Sequence, residues 1–308
     1  MRGTIRLLFF VASMVLWGAD PAYEHAIAVS SDADRPGLLC KFALVVRDSG
    51  DLLRAEQLTN QALDQLKRDG DMETANAAAC LTLSGALAMR ARPEQAQQDL
   101  EKALAIRERL LGPQSLQLAD TLNTLGMVHR LQERYVDAER YYRRALAIQR
   151  AHPPTPELGI TLNNLGQLAA ARGRSKEALE LFHQAVETWE GLPGPPNPGM
   201  ATALNQAGVL AYKNKQYAEA TALLEKAGSA EALLNLGAAH LKEKRFHESA
   251  QAYQRAIELL TKQWGPGDAR LATPLDHLAF VLRKDEQYAD AAEVELQATR
   301  IRVATALR

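Results

Sequence analysis

Residues 121–126 read TLNTLG and residues 161–166 read TLNNLG. The phrase returns after forty residues, and a helix-like stretch follows each copy: ERYVDAERYYRRALAI (133–148) and GRSKEALELFHQAVETW (173–189). Self-similarity at a fixed period decides a fold before any single element does. With Gly126 and Gly166 as anchors, small residues recur 12 and 19 positions later, at Ala138 and Ala178 and at Ala145 and Ala185. Extended along the chain, this template places anchors at Ala43, Ser84, Gly126, Gly166, Gly208, Gly237 and Ala279. The spacings are 41, 42, 40, 42, 29 and 42 residues. The second position reads Ala55, Ala96, Ala138, Ala178, Ala220, Ser249 and Ala291. The third reads Ala62, Ala103, Ala145, Ala185, Ala227, Ala256 and Ala298.

Each unit reads as two helices. Four residues before the anchor stands Leu39, Cys80, Leu122, Leu162, Leu204, Leu233 or Leu275, which draws an apolar stripe at helical spacing on the first helix. Nine residues after it, Tyr135, Tyr217, Phe246 or Tyr288 opens the second helix. Pro93 does so in unit two, and proline suits a first turn because its missing N–H would be unpaired there. A mid-helix glycine costs about 1 kcal/mol relative to alanine, so it marks places where two helices must approach closely.

Composition agrees. The 308 residues are 47% apolar and only 6% aromatic, and almost no stretch alternates in the manner of a strand. With 36 basic against 37 acidic residues the net charge is −1, which gives no reason to expect a nucleic-acid partner. The first residues differ from the rest. Arg2 and Arg6 precede an apolar run, Leu7 to Trp17, followed by Gly18 and Ala19. That is the layout of a secretory signal peptide over 1–19, although Trp17 stands where a small residue belongs. The run is too short to span a bilayer comfortably, which takes about 20 residues. The expectation is export to a periplasmic or extracellular space, with no membrane span once the signal is removed. Without cleavage the chain would be cytoplasmic or membrane-associated.

The triad of small residues, the preceding leucine and the aromatics Tyr142, Phe182 and Tyr253 together resemble the tetratricopeptide repeat. The 42-residue period, the RALAI and KALAI segments (144–148 and 102–106) and the linkers Gly112-Pro113, Gly194-Pro195 and Gly265-Pro266 are similar to the kinesin light chain subtype. The resemblance implies an all-α, right-handed α-solenoid of about seven helix-turn-helix repeats. The expected units lie near 36–70, 71–112, 115–152, 156–192, 198–228, 229–266 and 269–308, after a linker over 20–35. Unit five is cut short at Gly228. In such an array the first helices line a concave face, and the resemblance implies that a peptide or protein segment binds there.

The groove candidates follow from the register. Three and two residues before the anchors stand Asn123, Asn163, Asn164, Asn205 and Asn235. An amide both donates and accepts, so it pairs with the backbone of any extended peptide. The same asparagines would equally serve to bond neighbouring repeats together. Arg130 and Tyr212 complete the candidate groove. Arg130 belongs to a line of cations with Arg47, Lys213, Lys242, Arg283 and Lys284 near first-helix C-termini, where charge of that sign is also stabilising in its own right. Tyr212 and Phe280 would be apolar anchors or packing residues.

No catalytic constellation appears: no HExxH, GxSxG or phosphate-cradling loop. His129 and His240, each three residues past an anchor, read as packed core residues. No cofactor, metal or small-molecule substrate is expected. Cys40 and Cys80 stand on adjacent first helices, as a pair or as free core thiols. The function expected is a non-enzymatic interaction scaffold. The alternative is a structural subunit of a cell-envelope assembly that binds through its convex face or its ends.

Overall fold

The computed structural model describes residues 19–195 and 197–306; the expected signal segment, apart from Ala19, lies outside them. Among the described residues all regular structure is helical: fifteen α-helices and one 3-10 turn. The chain forms two compact units, residues 1–152 and 153–308.

The first unit holds α1 (Ala19–Ala28) and three helix pairs: α2 (Arg35–Asp48) with α3 (Leu52–Asp69), α4 (Ala75–Ala88) with α5 (Pro93–Leu111), and α6 (Leu118–Leu131) with α7 (Tyr135–Arg150). The segment read as a linker over 20–35 therefore contains a helix. Tyr23, Ala26 and Ile27 make one apolar face at i, i+3 and i+4. Tyr23 stacks on Phe42 with ring centroids 5.0 Å apart, and the Arg54 guanidinium lies 5.1 Å from the Phe42 ring centroid.

The second unit holds α8 (Pro156–Ala171) with α9 (Ser175–Glu190), α10 (Pro198–Lys213) with α11 (Tyr217–Ala227), α12 (Ala230–Lys242) with α13 (Phe246–Trp264), and α14 (Ala272–Lys284) with α15 (Tyr288–Ala306). The short α11 ends at Gly228 in the left-handed region (φ 58°), and the Ser229 side chain at once caps α12 by accepting from the Ala232 N–H at 3.2 Å. Two glycines admit the indole of Trp189. A Cβ on Gly159 would lie 2.4 Å from the ring, and one on Gly199 would lie 3.0 Å from it. The indole Nε1 donates to the Pro156 carbonyl at 3.0 Å.

The small-residue template is the packing seam of every pair. At the second position all seven residues are fully buried, and at the third all but Ala227 are. Gly126, Gly166, Gly208 and Gly237 each face the large side chain sixteen residues on: Tyr142, Phe182, Leu224 and Tyr253. Repeat two departs from the template. There Gly85, not Ser84, makes the close approach, to Leu100, while the Ser84 hydroxyl donates to the buried Asp99 carboxylate at 2.7 Å.

The turns explain the shift. Six of the seven first helices end in a left-handed residue seven past the anchor: Gly50, Glu133, Gly173, Lys215, Lys244 or Glu286. In each, the next N–H reaches back to the carbonyl five residues earlier, as in Arg134 N to His129 O at 2.8 Å. This is the Schellman closure, which satisfies carbonyls that the helix end leaves unpaired. Repeat two closes with a tighter bond, Arg92 N to Ala88 O at 2.8 Å, and Gly85 stands only eight residues before α5. The closing bond spans one residue fewer than in the other repeats, and the close contact stands one residue along α4.

Candidate functional site

Within each unit, rungs join some of the successive first helices. Cys40 on α2 and Cys80 on α4 form a disulfide, with Cα atoms 5.6 Å apart. Thr82 on α4 meets Thr121 on α6, hydroxyl to hydroxyl at 3.2 Å. Arg107 of α5 donates to that Thr121 hydroxyl at 2.6 Å and to the Gln117 carbonyl at 2.8 Å. Burial lowers the pKa of the Arg107 guanidinium, and Asp120 acts in the opposite sense. In the second unit the Asn235 amide on α12 donates to the Asn205 carbonyl oxygen on α10 at 2.8 Å.

The asparagines were expected to face out of the core. The structure instead buries Asn123, Asn163, Asn164 and Asn205 to between 5% and 8% exposure and leaves Asn235 half-buried. The reason is the close spacing of first helices, which puts these positions between neighbours. Asn205 and Asn235 thus act, at least with each other, as repeat-to-repeat links. Asn163 and Asn164 differ: the Asn163 Oδ1 and Asn164 Nδ2 atoms are buried and have no hydrogen-bond partner. A buried polar group without a partner costs about 1–3 kcal/mol, and these two atoms carry that cost in the unbound protein.

Beside them opens a cleft of about 470 Å³, lined from α8 by Gln167 and Ala170, from α10 by Asn205, Gln206 and Lys213, and from α12 by Glu231 and Asn235, with Phe182 beneath. Three amides in addition to Asn205, one ammonium and one carboxylate can hydrogen-bond a peptide backbone and attract a charged side chain. Gln206, two residues before its anchor, stands at an expected groove position, whereas Gln167 was not among the candidates. Gln167, one past the anchor, lies on the same helical face as Asn163 and Asn164, and that spacing was the available signal. Tyr212 is half-buried against the α12 core and tilts on Tyr217 at 5.2 Å between centroids, so it packs between repeats. Asn123 and Arg130 stand on α6 of the first unit and are not among the residues that line this cleft.

The histidines sit in the core. His129 is buried and stacks on Tyr141 at 5.1 Å, and His240 occupies the equivalent place on α12. Burial, and next Arg134 and Arg245 respectively, hold both below the ordinary histidine range. Burial likewise pushes the Tyr142 hydroxyl up to about 12. Among the described residues no three His, Cys, Asp or Glu side chains gather as metal ligands, and no helix is long and apolar enough to cross a membrane.

A family model described as Tetratricopeptide repeat matches residues 74–151, 157–227 and 228–302. No curated protein matches the chain. Among solved structures, BtubC (BKLC) from P. vanneervenii is 21% identical with a TM-score of 0.54, over 72% of this chain and 88% of that one. A putative kinesin light chain from Podosopora anserina with nearly identical TPR-like repeats is 19% identical with a TM-score of 0.53, over 70% of this chain and 99% of that one. A signal transduction ATPase with a tetratricopeptide repeat sensor, from Pyrococcus horikoshii, aligns at a TM-score of 0.68 and 15% identity. It covers 95% of this chain, which spans only 46% of that longer protein. At these identities the likeness is one of fold. Matched by the family model over most of its length, the chain belongs to the tetratricopeptide repeat family.

Proposed function

We propose that the chain is a non-enzymatic interaction scaffold that holds an extended peptide or protein segment along the first helices of its repeats. The observation that carries this reading is the cleft lined by the amides of Gln167, Asn205, Gln206 and Asn235. A peptide backbone offers one donor and one acceptor per residue, which amide side chains complement. Asn163, Asn164, Asn205 and Asn235 are the proposed contacts in the second unit, with Asn123 and Arg130 in the first. We place the protein in an exported compartment, and the Cys40–Cys80 disulfide supports this, because such bonds persist where thiols are not kept reduced.

A second reading rests on α15. Leu296 and Val303, one seven-residue step apart, are both about half exposed and give that helix an outward apolar stripe suited to an assembly contact. The two readings separate in one experiment. The full chain and its Asn163→Ala, Asn164→Ala, Asn205→Ala variant are matched for helicity and used to capture partners from native extract. A partner held by the parent and lost by the variant supports the groove. A partner retained by both, within a large assembly broken by Leu296→Glu, moves the second reading ahead.

A further inference from the structure

We propose that the outward face of α15 pairs with the same face of a second copy of this chain, the two helices running antiparallel about a twofold axis. The inference goes beyond the groove and rests on the second reading above, for it names the partner that the outward stripe of α15 receives.

The helix has two faces. Ala291, Ala298 and Ile301 are buried and join the core that α15 shares with α14. On the opposite side Ala289, Ala292, Leu296 and Val303 follow one another at steps of three, four and seven residues, and all are exposed. That spacing makes one continuous apolar stripe. The stripe sets this helix apart from its counterparts. Leu296 and Val303 stand 17 and 24 residues past the anchor Ala279. The same two places hold Glu101 and Glu108 in repeat two, Arg143 and Arg150 in repeat three, and His183 and Glu190 in repeat four. Repeats one and six are polar at both places, and repeat five at the first. A face that is polar elsewhere is apolar here, and a contiguous exposed apolar patch marks an interaction site.

The charges beside the stripe select a second copy as the occupant. On one side Glu295 pairs with Arg283 at 2.6 Å and Arg302 pairs with Asp276, both partners on α14, so these charges are engaged within the chain. On the other side Glu293 and Arg300 are exposed, and neither makes an ion pair or hydrogen bond among the described residues. They stand seven residues apart, beyond the three- or four-residue reach of pairs on one helix. Two turns separate them along the axis by about 10.5 Å, with Leu296 beside the midpoint. A second α15 laid antiparallel about that midpoint sets Glu293 of each copy opposite Arg300 of the other. It brings the two Leu296 side chains together and places each Val303 against Ala289 and Ala292 of the second copy. One face thus supplies both members of every contact, which is the property of a twofold interface. A membrane surface would instead favour cations throughout the polar margin of the stripe.

Sedimentation equilibrium of the purified full chain tests this. The weight-average mass should rise from one chain toward two as the concentration is raised, and no further. Leu296→Glu, Glu293→Arg and Arg300→Glu should each weaken association by about tenfold or more, since each sets a charge or a like-charge contact at the twofold axis. All three residues are exposed, and matched circular dichroism confirms that the variants are folded. The double variant Glu293→Arg, Arg300→Glu should regain the affinity of the parent, and so should an equimolar mixture of the two single variants, because both restore opposite signs across the axis. Loss of a role within one chain would not be rescued by mixing. A parent that stays monomeric, association untouched by Leu296→Glu, or a double variant as weak as the single ones overturns the proposal. If the purified chain is monomeric while Leu296→Glu still breaks a larger assembly drawn from extract, the second reading stands with a different occupant and the second copy does not.

Discussion

A single hydrogen atom decides the packing of repeat four. Gly166 has no side chain, and a Cβ built there would lie 2.7 Å from Phe182 Cε1, which is fully enclosed between α8 and α9. Gly166→Val should therefore overpack the seam and cost about 1–3 kcal/mol, measured by urea denaturation; an unchanged midpoint would contradict the register. This seam was legible in the sequence because a glycine or alanine at 12- and 19-residue intervals is a steric demand written in residue size. Ser84 shows where legibility ended. Ala96 and Ala103 keep the template in phase with Ser84, and only the structure, with its tighter closing bond, reveals that Gly85 meets Leu100. The burial of the asparagines was not legible either. Sequence register places a residue on a helix face, but how closely the next helix covers that face depends on packing.

Between elements, the rungs along the first helices differ in what they join. Asn205 and Asn235 satisfy one another across α10 and α12, so Asn205→Ala should lose that bond and cost about 0.5–1.5 kcal/mol. Asn164 gains no such bond through its Nδ2 atom. Asn164→Ala should cost less than Asn205→Ala in the unbound protein while weakening partner capture. Parallel thermal melts and capture assays read both effects; a larger stability loss for Asn164→Ala would mark it as a structural rung. The disulfide is the strongest rung. It closes a sequence separation of 40 residues between α2 and α4, and constraint of the unfolded chain over such a loop stabilises by roughly 3–4 kcal/mol. Thiol reductant should lower the melting temperature of the parent and leave Cys40→Ala, Cys80→Ala unmoved. The sequence left pairing open, since Cys80 stands at a core leucine position where a free thiol packs equally well. α1 was missed for a different reason: its polar residues and nearby Pro36 resemble a linker, and its stability comes from Phe42, an element away.

Across the molecule, each unit carries one histidine at the same repeat position, His129 in the first and His240 in the second, and these couple the stability of the whole chain to pH. Both are held below their ordinary range by burial first and a neighbouring arginine second. The folded state therefore binds a proton less readily than the unfolded chain, whose histidines titrate near about 6.5. Above that pH neither state is protonated there, and the full stability is present. As pH falls below about 6.5 the unfolded chain takes up protons first, and stability declines until the folded-state values are passed. Thermal midpoints should thus be level between about pH 7 and 8 and should fall as the pH drops toward about 5. Asp268 does not obscure this window. Hydrogen bonds from the Arg270 side chain and backbone hold its carboxyl down at about 2. A His129→Phe, His240→Phe variant keeps an aromatic ring in each core and removes both titrations, so its midpoint should decline less over the same interval. A variant that tracks the parent throughout would rule out the two histidines as the source of the acid sensitivity.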